Sequence, residues 1–235
     1  MKHSMRDWVS FWDSEHPIYV NARHLDRHYR AIAEDIVRLL PAQGARVLDH
    51  GCGEALHAGR IAAAGAELYL CEAAPKVRAR LIERFAGERN IRVIAPAEVG
   101  RLPVASLDLV VANSLAQYLA RAELAALLKT WQQALKPGGR LVIADVIGPD
   151  QSALADALAL LRFAAANGFL IAAVLGLART LFSDYRKLRA RLGLAHYSEA
   201  EMLALLRDAG FSAQRLRPNL GHNQARMAFV ASKLP

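Results

Sequence analysis

The stretch 46–55 combines an apolar run, a carboxylate and two closely spaced glycines. It predicts a short buried strand, a tight turn and then a helix that runs to Gly65. Gly51 and Gly53 allow a sharp turn and let a ligand approach the main chain closely. Asp49 places an acceptor-only group beside that turn. The predicted chemistry is ligand binding at the turn. The alternative interpretation is an ordinary strand–turn–helix of an α/β protein.

The residues around this turn narrow the class of ligand. A dinucleotide fingerprint needs a glycine where the chain has Leu56, and no G-K-[ST] phosphate loop is present. Glu72 ends a second predicted strand, 19 residues beyond Gly53. An acidic residue near this distance can accept two hydrogen bonds from a ribose diol. The pair therefore favours a nucleoside ligand, although the spacing can also arise by chance.

A further set of polar side chains follows the apolar run 107–113, which predicts a strand buried on both faces. In open α/β sheets, ligands bind at the carboxyl ends of the strands, near the point where the strand order reverses. We therefore expect four residues to face the ligands: Asn113, Ser114, Gln117 and Tyr118.

Size and composition set the framework for these residues. The 235 residues suffice for one α/β domain with a real core. The net charge of +8 and the pI near 9.9 favour an anionic partner surface, although a solvated basic face is as common. Cys52 and Cys71 are the only cysteines and lie far apart. With no signal-like N-terminus, this predicts a reducing cytoplasm and no metal site.

Three segments in order resemble one family. They are D-H-G-C-G at 49–53, L-D-L-V-V-A-N-S-L-A-Q-Y-L at 107–119 and L-K-P-G-G at 135–139. The chain resembles the class I S-adenosylmethionine-dependent methyltransferases over 44–146, within the small-molecule group typical of ubiquinone and menaquinone biosynthesis. The resemblance implies an α/β fold with a Rossmann-like, mostly parallel seven-stranded sheet and helices on both faces. It also implies that 212–217 and 225–232 form an antiparallel edge hairpin.

The resemblance assigns most of these polar residues to S-adenosylmethionine. A carboxylate at the turn suits a cationic ligand where it would repel phosphates. Relatives usually carry an acid at the position of Pro96, which leaves Ala97 and Glu98 as the adenine-edge candidates. The expected cofactor-binding residues are Asp49, Gly51, Cys52, Gly53, Glu72, Ala73, Ala97, Glu98, Asn113, Ser114 and Gln117.

The N-terminal segment is dense in polar aromatic groups, and the resemblance implies that it caps the cofactor and lines the substrate pocket. A base is needed only if the acceptor is a hydroxyl or a protonated amine. The candidates are His24, His28 and His222, with Tyr118 as a positioning group. Tyr19 and Arg23 are expected substrate contacts. The alternative is that the aromatics are core and the histidines lie on the surface.

An insertion follows the fifth predicted strand. Residues 153–182 are unusually apolar, with Asn167-Gly168 in the middle, and a basic cluster begins at Arg179. The apolar run 168–178 is shorter than the ~20 residues that span a bilayer. Such a segment can lie on an anionic membrane or cover a hydrophobic pocket. The alternative is an ordinary lid or a dimer interface. Tyr185 and Tyr197 are the expected polar contacts beneath it.

The chain is thus divided into a helical cap at 1–43, a cofactor-binding core at 44–150, a helical insertion at 151–196 and a closing helix and hairpin at 197–235. The favoured function is methyl transfer to a small, hydrophobic or lipid-like acceptor. Nucleic-acid base methylation is disfavoured, because the strand at 107–113 is not followed by Asn/Asp-Pro-Pro-Tyr/Phe and no cysteine stands at an attacking position. An RNA- or protein-directed enzyme, a non-catalytic cofactor-binding protein and, more distantly, a nicotinamide oxidoreductase remain the alternatives.

Overall fold

A computed structural model describes residues 5–14, 18–180 and 193–234 of the chain. Within these ranges, seven strands form one sheet in the order β3-β2-β1-β4-β5-β7-β6. The first five strands pair in parallel, and β7 is antiparallel to both of its neighbours. The predicted Rossmann-like fold and its antiparallel edge hairpin are confirmed.

The strands are β1 Arg46–His50, β2 Glu67–Cys71, β3 Ile91–Ile94, β4 Leu107–Asn113, β5 Leu135–Val146, β6 Phe211–Leu216 and β7 Met227–Lys233. The helices are α1 Met5–Trp12, α2 Ala22–Leu39, α3 Ala58–Ala63, α4 Pro75–Arg84, α5 Pro96–Val99, α6 Arg121–Ala134, α7 Ala153–Asn167, α8 Leu170–Thr180 and α9 Glu199–Asp208, with a 3₁₀ turn at Ala116–Tyr118.

The sheet separates two apolar cores. One contains Val47 and Leu109 and is covered by α2, α3 and α4. The other contains Leu48 and Val110 and is covered by α6 and α9, with Trp131 fully buried. Neighbouring residues of β1 and β4 face opposite cores, which explains why these strands read as continuous apolar runs.

The helix after the glycine turn begins later than the sequence indicated. Gly51, Gly53 and Ala55 all have positive φ angles, of 81°, 58° and 41°. Left-handed residues do not continue a right-handed helix, and α3 therefore starts only at Ala58. The result is a longer irregular loop beside the end of β1.

Two helical units lie outside the sheet and contact each other. The cap, α1 and α2, begins its second helix at Asn21, whose side chain accepts a hydrogen bond from the main-chain N–H of His24 at 2.8 Å. The lid, α7 and α8, is broken at Gly168, which takes a left-handed conformation at the end of α7. None of the described helices is both long and apolar enough to cross a bilayer.

Candidate functional site

A cavity of about 1050 Å³ lies at the carboxyl ends of β1, β2, β4 and β5. Its floor is the loop after β1, and its wall includes residues of α1 and α2. The order of the strands reverses between β1 and β4, which is the position where ligands bind in open α/β sheets. The N-terminal segment therefore lines the cavity, as the sequence predicted.

The glycine loop is held to the second strand by Glu72. Its Oε2 accepts a hydrogen bond from the main-chain N–H of Gly53 at 2.9 Å, and its Oε1 accepts one from Ala74 at 2.8 Å. A carboxylate has about four acceptor positions, so Glu72 can also receive the hydroxyls of a ligand. Gly51, Cys52, Gly53, Glu72 and Ala73 all line the cavity.

Asp49 is a buried carboxylate beside this loop. Only 7% of its surface is exposed, and Glu72 is 8% exposed. Burial, with a smaller contribution from the charge of Glu72, raises the pKa of Asp49 to about 7. Two buried acids that face one cavity are costly unless positive charge offsets them. This end of the cavity is thus suited to a cationic ligand.

The cap packs directly on the glycine loop through Tyr29. The hydroxyl oxygen of Tyr29 accepts a hydrogen bond from the main-chain N–H of Glu54 at 2.9 Å, and a Cβ on Gly53 would clash with it. Tyr19 donates a hydrogen bond to the same hydroxyl at 3.3 Å. The contact brings α2 close to the ligand loop, and the absence of a side chain at Gly53 makes it possible.

Three histidines from two distant segments of the chain meet in the wall of the cavity. The ring centroids of His24 and His28 are 6.3 Å apart, and that of His222 lies 6.2 Å and 5.9 Å from them. All three line the cavity together with Tyr19. Among the described residues, no group of histidines, cysteines and acids is arranged to hold a metal ion. The three rings form one polar part of the cavity wall.

The environment of these histidines makes them weak bases. Burial lowers the pKa of His28 to about 3 and those of His24 and His222 to about 4. Nδ1 of His24 accepts a hydrogen bond from the main-chain N–H of Val20 at 3.3 Å. The neutral ring of His24 then carries its proton on Nε2, so neither ring nitrogen has a free lone pair that could accept a proton. A general-base role for His24 does not fit this arrangement.

Asp145 is a cavity carboxylate that the sequence analysis did not single out. It is the penultimate residue of β5 and lies beside Ser114, the residue that follows β4, and both have left-handed backbones with φ angles of 58° and 57°. The Ser114 hydroxyl donates a hydrogen bond to Asp145 Oδ2 at 2.7 Å. Burial raises the pKa of Asp145, although Arg226 and this hydrogen bond lower it. Strained residues of this kind cluster at functional sites.

Other predicted residues also reach the cavity. Asn113, Gln117 and Tyr118 line it. Within the described chain, Asn113 Oδ1 is buried without a hydrogen-bond partner. The ring of Tyr118 packs against Trp8 of α1, with ring centroids 4.7 Å apart, and so joins the cap to the segment after β4. Its position is compatible with the predicted positioning role.

Ala97 and Glu98 do not line the cavity, which corrects the expected adenine edge. Both are exposed, and Glu98 Oε2 accepts a hydrogen bond from the main-chain N–H of Ala95 at 2.7 Å, which caps α5. Pro96 lines the cavity in their place. At this position the cavity therefore offers apolar packing rather than a carboxylate.

The expected substrate contacts are only partly located at the cavity. Tyr19 lines it, whereas the exposed Arg23 donates from Nη1 to the Gly168 carbonyl at 3.1 Å and joins the cap to the lid. Tyr197 is 1% exposed in the core beside α6 and α9, with the Arg121 guanidinium 5.0 Å from its ring centroid. The substrate role expected for Arg23 and Tyr197 is corrected accordingly. Tyr185 lies outside the described residues.

A signal for Asp145 was present in the sequence. The run 141–144 is a parallel strand, and the side chains that end neighbouring parallel strands meet at one edge of the sheet. The same rule that selected Asn113 and Ser114 therefore selects Asp145. Tyr29 carried no such signal, because its contact with Gly53 depends on how the cap packs.

Comparison with known proteins identifies part of the chain. Residues 48–143 match the family model described as a methyltransferase domain. No curated protein matches the chain at a significant level.

Solved structures share the fold. PigF, solved with SAH, superposes with a TM-score of 0.62 at 20% identity, over 99% of this chain and 63% of PigF. The pyocyanin biosynthetic protein PhzM gives 0.57 at 18% identity, over 87% and 55%. YcgJ from Bacillus subtilis gives 0.58 at 13% identity, over 88% and 100%. The chain thus spans less than two thirds of the length of PigF and PhzM.

Proposed function

We propose that the chain is a class I S-adenosylmethionine-dependent methyltransferase that transfers a methyl group to a small, apolar acceptor, a proposal supported by its fold and by the methyltransferase-domain match over 48–143. Class I methyltransferases use S-adenosylmethionine, which is the cofactor in this proposal. The observation that carries it is a single cavity that is lined by two buried acids at the glycine loop and by aromatic rings, neutral histidines and the carboxylate of Asp145 elsewhere.

The acidic end fits the cofactor. Asp49 and Glu72 are buried carboxylates at the glycine loop, and a ligand with an ammonium and a sulfonium group offsets their charge. Gly51 and Gly53 leave the main chain open to approach. Glu72 would hold the ribose diol, and Pro96 would pack against the adenine. When bound, the cofactor supplies an electrophilic methyl group.

The size of the cavity leaves room for an acceptor. Pockets that bury one drug-sized ligand typically enclose about 300–1,000 Å³, and this cavity holds about 1050 Å³. Trp8, Trp12, Tyr19 and Tyr118 supply much of its aromatic lining. The three histidines are held neutral by burial, so they add hydrogen-bonding capacity without charge. These walls favour an apolar, planar or aliphatic acceptor with few polar groups.

Asp145 is the group best placed to receive a proton from the acceptor. Ser114 fixes one oxygen of its carboxylate, and a carboxylate with a raised pKa is a better general base than an ordinary one. This favours an acceptor that presents a hydroxyl or an amine. The protein's contribution is then to align that group, exclude water and accept its proton.

The experiment that tests this function combines radiolabelled S-adenosylmethionine, the purified protein and a whole extract of its source cells that contains metabolites, lipids, RNA and protein. We expect label in small molecules that partition into an organic phase. Label in precipitable RNA or protein would contradict the small acceptor. Absence of transfer, despite bound cofactor, would contradict the enzymatic activity.

A matched pair of variants separates a specific signal from background in this assay. Asp49→Asn removes a carboxylate that lines the cavity and should abolish most of the transfer. Glu67→Gln also replaces a carboxylate by an amide, but Glu67 is the exposed first residue of β2, at the end of the strand away from the cavity. This variant should leave transfer unchanged.

A further inference from the structure

Helix α8 presents an apolar stripe to solvent. Ile171, Val174 and Leu175 are 79%, 53% and 54% exposed, and Ala178 is also exposed. These four residues follow the i, i+3, i+4, i+7 pattern of one helix face. We refer to them as the α8 stripe. A surface helix normally turns such a face inward, so its exposure indicates a partner.

The opposite face of α8 is already used by the protein. Ala173 is fully buried with Phe169 in a small core that Val20 of the cap packs against. Gly176 approaches Val20 so closely that a Cβ would not fit. The helix is therefore fixed in orientation by the cap, and it cannot rotate its stripe into the protein without losing these contacts.

Two exposed arginines lie near the two ends of α8. Arg23 is exposed and bonded to the Gly168 carbonyl just before the helix, and Arg179 is exposed near its end. Helix α8 contains no acid in its sequence. The one acid of α7, Asp156, is bound by Arg226, with Nη2 and Oδ2 2.7 Å apart. An apolar face between guanidinium groups is complementary to an anionic lipid surface.

The dimensions of α8 argue against two other occupants. Its 11 residues are well short of the ~20 that span a bilayer. At ~1.5 Å per residue the helix is about 16 Å long, and a strip about 10 Å wide along it covers on the order of 160 Å². A stable dimer needs about 800 Å² from each partner. The stripe is too small for a second copy of the chain and suits shallow insertion into a membrane surface.

We infer that the α8 stripe docks the protein on an anionic membrane surface, with Ile171, Val174 and Leu175 at the headgroup–acyl boundary and Arg23 and Arg179 among the headgroups. The lid contacts the acceptor end of the cavity, because Phe163 stacks on His222 and Phe169 stacks on His24. Docking therefore brings the cavity near the lipid phase. The inference stands independently of the proposed acceptor.

Vesicle co-sedimentation tests the inference with the full-length chain. We expect binding to vesicles of phosphatidylcholine mixed with phosphatidylglycerol, much weaker binding to phosphatidylcholine alone, and weaker binding at high salt. The double variant Ile171→Gln/Leu175→Gln should lower the partition coefficient by about tenfold or more, since two aliphatic side chains no longer enter the lipid.

A matched control makes the same change elsewhere on the surface. Ile82 and Val104 are 54% and 76% exposed, and Ile82→Gln/Val104→Gln should bind vesicles like the unmodified protein. Both double variants alter exposed side chains, and equal thermal midpoints would show that both fold. Equal vesicle binding by the two double variants would overturn the inference. Two further results would also overturn the inference. One is no binding to the vesicles that contain phosphatidylglycerol, and the other is a dimer in analytical ultracentrifugation that the stripe variant dissociates.

Discussion

The hydroxyl oxygen of Tyr29 occupies the space that a side chain on Gly53 would need, and it accepts a hydrogen bond from the main-chain N–H of the next residue, Glu54. One glycine therefore serves two purposes. Its φ of 58° forms the turn after β1, and its missing side chain admits the cap helix α2. The packing of the cap is thus coupled to the conformation of the ligand loop.

This coupling predicts the effect of Gly53→Ala. An alanine there is strained by the positive φ and collides with Tyr29, so we expect unfolding to become easier by about 1–3 kcal/mol. Chemical denaturation measures the change. Gly59 in α3 is the control, because open space surrounds it; Gly59→Ala should be neutral or stabilise the helix by roughly 0.5–1 kcal/mol. Similar losses at both positions would contradict the predicted contact.

Because the pKa of Asp49 is raised, this residue makes the free energy of unfolding fall as the pH rises, which is the opposite of the effect of a carboxylate with a lowered pKa. The pKa of Asp49 in the folded protein is about 7, above its ordinary value of 3.8. The folded protein therefore binds the proton more tightly, and this carboxyl makes folding less favourable as the pH rises from about 4 to about 7. Replacement by asparagine removes this loss in the free energy of unfolding, which reaches on the order of 3–4 kcal/mol once the carboxyl is fully ionised.

The measurement is the free energy of unfolding of Asp49→Asn relative to the unmodified protein across this pH window. The advantage of the variant should be small near pH 4 and largest near pH 8. Burial lowers the pKa values of His24, His28 and His222, so their contribution rises with pH, but it is common to both proteins and cancels in the difference. A difference that does not vary with pH would contradict the raised pKa.

Much of the sheet was readable from sequence, because buried parallel strands are apolar on both faces and end in polar groups. Asp49, Glu72 and Asn113 all stand where a strand meets the cavity. The start of α3 was not readable, because nothing in the residue types requires the positive φ of Ala55. The exposure of Ala97 and Glu98 could not be predicted either, because it follows from their position on the single turn of α5.

Long-range packing explains the remaining differences. Tyr197 is of a residue type that often contacts ligands, but the Arg121 guanidinium covers its ring in the core that α6 and α9 cover. The meeting of His24 with His222 depends on α2 and the loop before β7 reaching the same end of the sheet, across almost the whole chain. Residue types suggested these groups, and only the packing of cap, lid and hairpin decides which of them share a cavity.

The ion pair between Asp156 and Arg226 predicts how strongly the lid is attached to the hairpin. Their side chains are only 22% and 10% exposed, and Nη2 and Oδ2 are 2.7 Å apart. Asp156→Ala leaves a largely buried guanidinium without its main partner, and we expect a loss of about 3 kcal/mol in the free energy of unfolding.

The control for the Asp156 prediction is the pair of Arg30 and Glu34 on α2, which is 41% and 44% exposed. Glu34→Ala should change stability by no more than about 0.5 kcal/mol, because solvent screens an exposed pair. Thermal unfolding compares the two variants. Equal effects would show that the lid does not depend on Asp156.

Asp145, which accepts a hydrogen bond from Ser114, offers the most direct test of how the acceptor is deprotonated. Asp145→Asn keeps the size of the side chain and removes its ability to accept a proton, so we expect methyl transfer to fall by about 10²–10⁴-fold. Binding of S-adenosylhomocysteine should change little, because Asp145 belongs to β5 and not to the glycine loop after β1. Isothermal titration and a transfer assay on the same preparation separate the two effects.

The pH profile of the Asp145 variant distinguishes a base from a residue that only shapes the cavity. Burial raises the pKa of Asp145, so transfer by the unmodified protein should rise with pH as this carboxyl ionises, and the residual activity of Asp145→Asn should lack that rise. Ser114→Ala removes one hydrogen bond that lowers this pKa, and it should move the rise to higher pH while transfer persists. If Asp145→Asn kept the same pH profile at reduced rate, the carboxylate would be a structural element of the cavity and another group would accept the proton.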